Sequence, residues 1–139
     1  MPLRSRLLTA VPLALLALGL AGCADQGGDT AAPAGPVITV TATDTECRVS
    51  ADTAPAGTVT FRITNEGTKV NEFYVYAAGD RVIGEVENLT PGITRELKAE
   101  LTEPGTYETA CKPGMAGNGI RDGFTVTAAG AASGSTATP

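Results

Sequence analysis

No histidine occurs anywhere in this chain of 139 residues. That absence removes Ser-His-Asp and Cys-His nucleophile arrangements, imidazole general bases, and every metal centre built on imidazole. No nucleophile sits near a base in the sequence, so the chain is expected not to be an enzyme. Basic residues are also scarce, with 10 Lys and Arg against 15 Asp and Glu. Nucleic acid is therefore a poor partner, because its affinity comes mainly from Lys and Arg on phosphates. No apolar run reaches the length of about 20 residues that a membrane-spanning helix needs. No segment carries a sustained helical stripe with caps, which leaves little room for α-helix.

What is present begins with a secretion signal over residues 1–22. Arg4 and Arg6 give it a charged start, Leu7 to Leu20 an apolar centre, and Ala21 and Gly22 small residues before Cys23. The stretch Leu20-Ala21-Gly22-Cys23 resembles the lipobox of bacterial lipoproteins. That resemblance implies cleavage before Cys23 and acylation of its sulfur. Each buried methylene contributes about 0.8 kcal/mol, so a multiply acylated cysteine holds a soluble domain on a bilayer. The expected location is the outer, extracytoplasmic face of the cell membrane. Loss of Arg4 and Arg6 with the signal leaves eight basic residues against 15 acidic ones, a net charge of −7.

Residues 23–36, rich in Gly, Ala and Pro, read as a flexible linker, and residues 128–139 as a disordered tail. Between them lies a domain over 37–127 made of short β runs. Val37 to Thr41 is β-branched throughout, and Cys47 to Ala51 is a second run. Val59, Phe61 and Ile63 alternate along Thr58 to Thr64. Phe73, Val75 and Ala77 alternate against Tyr74 and Tyr76. Further runs cover Arg81 to Val86, Ile93 to Leu101, Thr106 to Cys111 and Phe124 to Thr127. Ala56-Gly57, Ala78-Gly79-Asp80, Pro91-Gly92 and Pro104-Gly105 supply turns between them. Strands of this length and spacing predict an all-β, two-sheet β-sandwich.

Four residues of the domain stand out chemically: Cys47, Glu72, Cys111 and Met115. Met115 follows Cys111 by four positions in the loop Cys-Lys-Pro-Gly-Met. Two sulfurs at the ends of such a loop suit a soft ion such as Cu(I). The competing reading is a Cys47–Cys111 disulfide, favoured by export to an oxidising compartment. Taken singly, Met115 is as well explained as a loop filler and Glu72 as a solvated surface charge.

The segment from Val37 to Val126 resembles a cupredoxin domain. The likeness rests on Thr53-Ala54-Pro55-Ala56-Gly57-Thr58-Val59-Thr60-Phe61, on Asn65-Glu66-Gly67, and on Gly105-Thr106-Tyr107 running to Cys111, Pro113, Gly114 and Met115. It implies a Greek-key β-sandwich with ligand loops at one end, near Cys47. Glu72 stands approximately where the family has its first histidine, and Met115 follows Pro-Gly where many members have His. The trigonal His2Cys blue-copper centre is thereby excluded.

Lys69-Val70-Asn71-Glu72-Phe73, Val82 to Gly92 (Val-Ile-Gly-Glu-Val-Glu-Asn-Leu-Thr-Pro-Gly) and Thr109 to Met115 are similar to the N-terminal cupredoxin-like domain of the EfeO family. EfeO proteins are exported components of bacterial iron-uptake systems. The resemblance implies copper or ferric iron held by cysteine and glutamate, which carries over to Cys47, Glu72 and Cys111. Glu85 and Glu87 lie in the matching motif with their direction open. It implies as partners a membrane iron permease or peroxidase of an EfeUOB-like system. The histidine-bearing helical domain of larger EfeO proteins is absent from this sequence.

Overall fold

The computed structural model describes residues 35–130, and the signal and Cys23 lie outside them. Nine strands form among the described residues: β1 (Val37–Ala42), β2 (Cys47–Val49), β3 (Thr53–Pro55), β4 (Gly57–Asn65), β5 (Asn71–Ala77), β6 (Arg81–Leu89), β7 (Thr94–Leu101), β8 (Gly105–Cys111) and β9 (Ile120–Thr127). They make two sheets, ordered β2-β1-β4-β7 and β3-β9-β8-β5-β6. β1 runs parallel to β4, and β3 parallel to β9, while the other pairs are antiparallel. This is the all-β cupredoxin-like sandwich that the strand spacing and the motifs predict.

The period of two along each strand builds the core. Val59, Phe61 and Ile63 of β4 point inward, as do Phe73 and Val75 of β5 and Phe124 and Val126 of β9. The chain has three phenylalanines, and all three meet here. Phe61 of the first sheet lies 5.4 Å from Phe73 and 5.5 Å from Phe124, both of the second. Tilted and edge-on aromatic contacts of this kind add about 0.5–1.5 kcal/mol each beyond the area they bury.

Several strands differ from their sequence-based expectation. β3 has no alternating pattern to announce it, because it is three residues long and is held by parallel pairing to β9. β6 runs on to Leu89, past the expected end at Val86, through a bulge. Asn71 pairs with Leu89 and Phe73 with Val86, so Glu87 and Asn88 together face the single residue Glu72. Asn88 takes a left-handed conformation, φ 53°. The extra residue turns both Val86 and Leu89 inward although they are three apart, which hides the strand from a simple alternation test.

The loops at the Ala42 end of β1 are tied by polar groups. Asn65 is fully buried. Its Nδ2 donates to the carbonyls of Lys69 (2.8 Å) and Leu89 (2.7 Å), and its Oδ1 accepts from the Gly67 N–H (2.9 Å). The Asp44 carboxylate accepts from the Thr68 N–H and hydroxyl and from the Lys69 N–H, joining the β1–β2 loop to the β4–β5 loop. The Thr68 hydroxyl, then the Lys69 N–H, hold this carboxyl below its ordinary value of 3.8. A depressed folded pKa contributes stability that is complete above 3.8 and is lost as pH falls through the lower folded value. We predict that Asp44→Asn flattens the acid limb of a urea-unfolding series taken from pH 5 to pH 2. An unchanged acid limb would show that the contact carries no stability.

Candidate functional site

Cys47 opens β2 opposite Ala42, and Cys111 closes β8 opposite Phe73. The two are joined by a disulfide, with Cα atoms 5.5 Å apart and 64 positions of chain between them. The bond ties the edge strand of the first sheet to an inner strand of the second. Cys111 is fully buried and Cys47 partly. Behind Cys111 the chain passes close to itself at Gly119, where a Cβ would stand 2.8 Å from the Cys111 carbonyl oxygen.

Glu72 does not join the cysteines. On β5, Asn71 and Phe73 face inward, so Glu72 faces the outer side of the second sheet. There its Oε2 accepts a hydrogen bond from the Tyr74 hydroxyl at 3.1 Å. Met115 does not join them either. It sits in the 3-10 turn Pro113–Met115 at φ 55° with 45 % of its surface exposed, while the Cys111 sulfur faces the core. The turn is pinned to the start of β5 by the Gly114 N–H on the Val70 carbonyl (2.7 Å). Among the described residues, no three Cys, Asp or Glu side chains gather as a metal ion would need. The expected convergence of Cys47, Glu72, Cys111 and Met115 is therefore corrected. The disulfide consumes both thiols, and strand alternation sends the carboxylate to the other face.

Glu72 and Glu85 are brought together instead. Glu85 of β6 lies opposite Tyr74 of β5. Tyr74 and Tyr76 stack on this outer face, with ring centres 5.3 Å apart and planes 7° from parallel. With Ala110 they form a small second cluster separate from the main core. Two cations cap it. The Lys112 Nζ lies 4.1 Å from the Tyr74 ring centre, and the Arg121 guanidinium 4.4 Å from that of Tyr76. Arg121 also binds Asp80 (2.6 Å) and Glu108 (2.8 Å). Sequence reasoning placed Tyr74 and Tyr76 on one face but assigned them no role. The signal was their spacing of two opposite Phe73 and Val75.

The Tyr74 hydroxyl feels this setting. Burial first, then the hydrogen bond to Glu72 and the charges of Glu72, Glu85 and Glu87, push its pKa up to about 12. Glu85, opposite Tyr74, and Glu87 flank the buried Val86 and lie exposed.

Residues 11–121 match the sequence profile of the family described as "Cupredoxin-like domain". The chain belongs to that family. It is 35 % identical over 103 residues to the iron uptake system component EfeO of Yersinia pseudotuberculosis, covering 74 % of this chain and 26 % of that protein. To EfeO of Escherichia coli K12 it is 36 % identical over 76 residues, 55 % of this chain and 20 % of that protein. The chain thus spans about a quarter or less of these relatives. In structure it is similar to auracyanin of Roseiflexus castenholzii, with TM-score 0.54, 17 % identity, and coverage of 68 % of this chain and 98 % of the other. Auracyanin A of Chloroflexus aurantiacus, a "blue" copper protein, gives 0.51 at 19 % identity, with 67 % and 100 % covered.

Copper of the blue type does not fit the residues present. The chain has no imidazole. The family's cysteine position, Cys111, is spent on a disulfide and buried, and Met115 is exposed in the turn that follows it. Non-reducing, denaturing thiol counting is expected to find neither Cys47 nor Cys111 free. Replacing both by Ala should lower stability by about 4 kcal/mol at most, from lost loop closure. One free thiol per domain, or no change in denaturant midpoint, would contradict the bridge. Tyr74 is expected to ionise about two units above an ordinary tyrosine in a spectrophotometric titration. Its raised pKa contributes stability that is complete below 10.0 and lost as pH rises through about 12. Glu72→Gln should bring that step down, and an unmoved step would disprove the coupling.

Proposed function

We propose that this chain is a non-enzymatic, cupredoxin-like module of an iron-uptake system, anchored through Cys23 on the outer face of a membrane, that works by binding other components. The observation that carries this reading is the Cys47–Cys111 disulfide. It occupies the position from which a cupredoxin would offer its thiolate, and in doing so it braces the loop end of the sandwich. The relatives named as iron uptake components supply the system, and the lipobox-like stretch ending at Cys23 supplies the anchor. A permease or peroxidase of an EfeUOB-like system is the kind of partner this reading implies.

A second reading is favoured by one feature. The Tyr74 hydroxyl donates to Glu72, and the charges of Glu85 and Glu87 act on it from the same side. Carboxylate and phenolate are hard ligands that suit ferric iron, as cargo, far better than the bridged sulfurs suit copper. Binding there requires the exposed glutamates to swing toward the phenol and Tyr74 to release its proton to solvent.

The two readings separate in one set of measurements. Deleting the gene should lower ferric iron accumulation by iron-starved cells. The wild-type chain should restore it, and Cys23→Ala, which also loses acyl labelling, should not. Unchanged accumulation on deletion would sink the first reading. Ferric nitrilotriacetate added to the purified chain should give phenolate-to-iron charge-transfer absorption, absent in Tyr74→Phe, only if the second reading holds. An intense blue colour with Cu(II) would overturn both.

A further inference from the structure

The chain has four asparagines, Asn65, Asn71, Asn88 and Asn118, and the last differs from the others. Asn65 and Asn71 are fully buried, with their amides donating to backbone carbonyls. Asn88 holds the left-handed position in the bulge of β6, a conformation that asparagine tolerates. Asn118 is exposed in the loop between the Pro113–Met115 turn and β9, and it is not left-handed, so its backbone does not ask for asparagine. Gly119 follows it at φ 80°. This residue has to be glycine, because a Cβ would stand 2.8 Å from both the Cys111 carbonyl oxygen and the Lys112 Cγ. The peptide nitrogen between the two residues is therefore unshielded by a side chain. Among the described residues, neither the Asn118 side-chain amide nor the Gly119 N–H makes a hydrogen bond within the protein.

We propose that Asn118 is a site of self-modification in the folded protein, converted through a cyclic imide mainly to isoaspartate with the help of Arg121. The Gly119 nitrogen attacks Asn118 Cγ. The new N–Cγ bond forms, the Cγ–Nδ2 bond breaks, and the Gly119 proton leaves with the side-chain nitrogen as ammonia. Water then opens the five-membered ring to a carboxylate. No oxidant or reductant takes part, and the attack is intramolecular, so no partner has to be brought up. Arg121 Nε donates to the Asn118 carbonyl oxygen at 3.2 Å, the oxygen of the same peptide unit whose N–H must be lost. A guanidinium there stabilises the negative charge that this unit gains on deprotonation, which makes the nitrogen a better nucleophile. In the ring the same oxygen stays on the Asn118 backbone carbon. The guanidinium then draws water to that carbon, and the product is isoaspartate, with its α-carboxylate in a charge-assisted bond to Arg121. Arg121 is held in place for both steps. Its guanidinium lies 4.4 Å from the Tyr76 ring centre, and its Nη1 binds Asp80 (2.6 Å) and Glu108 (2.8 Å), which leaves Nε for Asn118. Isoaspartate inserts one atom into the backbone just before Gly119, whose seat against Cys111 has no slack. This chemistry goes beyond the reading of the chain as a binding module and does not depend on it.

The test follows the full chain at pH 8.5 and 37 °C over several weeks by mass spectrometry of its peptides. A gain of one mass unit should appear in the peptide holding Asn118 and not at Asn65, Asn71 or Asn88. The same peptide should accept methyl groups from S-adenosylmethionine through an isoaspartyl methyltransferase. Isomerisation at Asp122-Gly123 would also label but would leave the mass unchanged. Asn118→Gln should abolish the mass gain. Arg121→Gln should slow it several-fold in the folded chain, and so should Arg121→Lys, which keeps the charge but loses the Nε donor. In urea the wild type and both Arg121 variants should react alike, and the isoaspartyl share of the product should fall below that of the folded wild type. No gain at Asn118, or an earlier gain at Asn88, would overturn the proposal. So would Arg121 variants that react as fast as the wild type or faster when folded, or an isoaspartyl share that urea leaves unchanged.

Discussion

Strand β5 sends Asn71, Phe73 and Val75 into the space between the sheets and Glu72, Tyr74 and Tyr76 to the other side. The arrangement of the candidate site follows from that alternation. Phe73 is locked inward by Phe61, 5.4 Å away across the sandwich. A slip of one residue would bury Glu72 and Tyr74 and expose Phe73, reversing the whole strand. The phenylalanine contact thus decides that Glu72 cannot meet Cys111, whose sulfur lies on the Phe73 side of the same pair of strands.

The disulfide completes this division of labour. Cys111 ends β8 in the core, and its neighbour Lys112, one residue on, lies over Tyr74 on the outer face. One step along the backbone therefore moves from the covalent brace to the charged surface. The sulfur chemistry and the oxygen chemistry of the domain sit on opposite sides of one sheet. The cupredoxin fold, which in auracyanin A belongs to a "blue" copper protein, here carries a covalent bond at the loop end and a tyrosine–carboxylate face beside it.

The pattern of Val59, Phe61 and Ile63, and of Phe73 and Val75, was readable from spacing alone, because period two with β-branched and aromatic residues has one physical solution. The bulge at Glu87–Asn88 was not, since it breaks that period and is stabilised by pairing across to β5. β3 was missed for a related reason: three residues carry too little pattern, and only β9 makes them a strand. In the candidate site, both cysteines were named, and the bridge stood open beside thiolate ligation. Glu72 was grouped with them because motif order puts residues in line but says nothing of which face of a strand they occupy in space. Lys112 and Arg121 escaped notice because their partners, Tyr74 and Tyr76, are distant in the chain.

Composition alone ruled out imidazole chemistry, since an absent side chain cannot be restored by folding, and set the acidic balance of the chain, since net charge is a sum over the sequence. Local alternation and turn residues also carried the β-sandwich, because a strand's period is a property of its own backbone. Which groups meet was decided only in three dimensions. The Cys47–Cys111 bond, the separation of Glu72 from both cysteines, and the placing of Glu85 opposite Tyr74 each depend on residues apart in the chain being brought together by strand pairing and by the packing of two sheets on three phenylalanines.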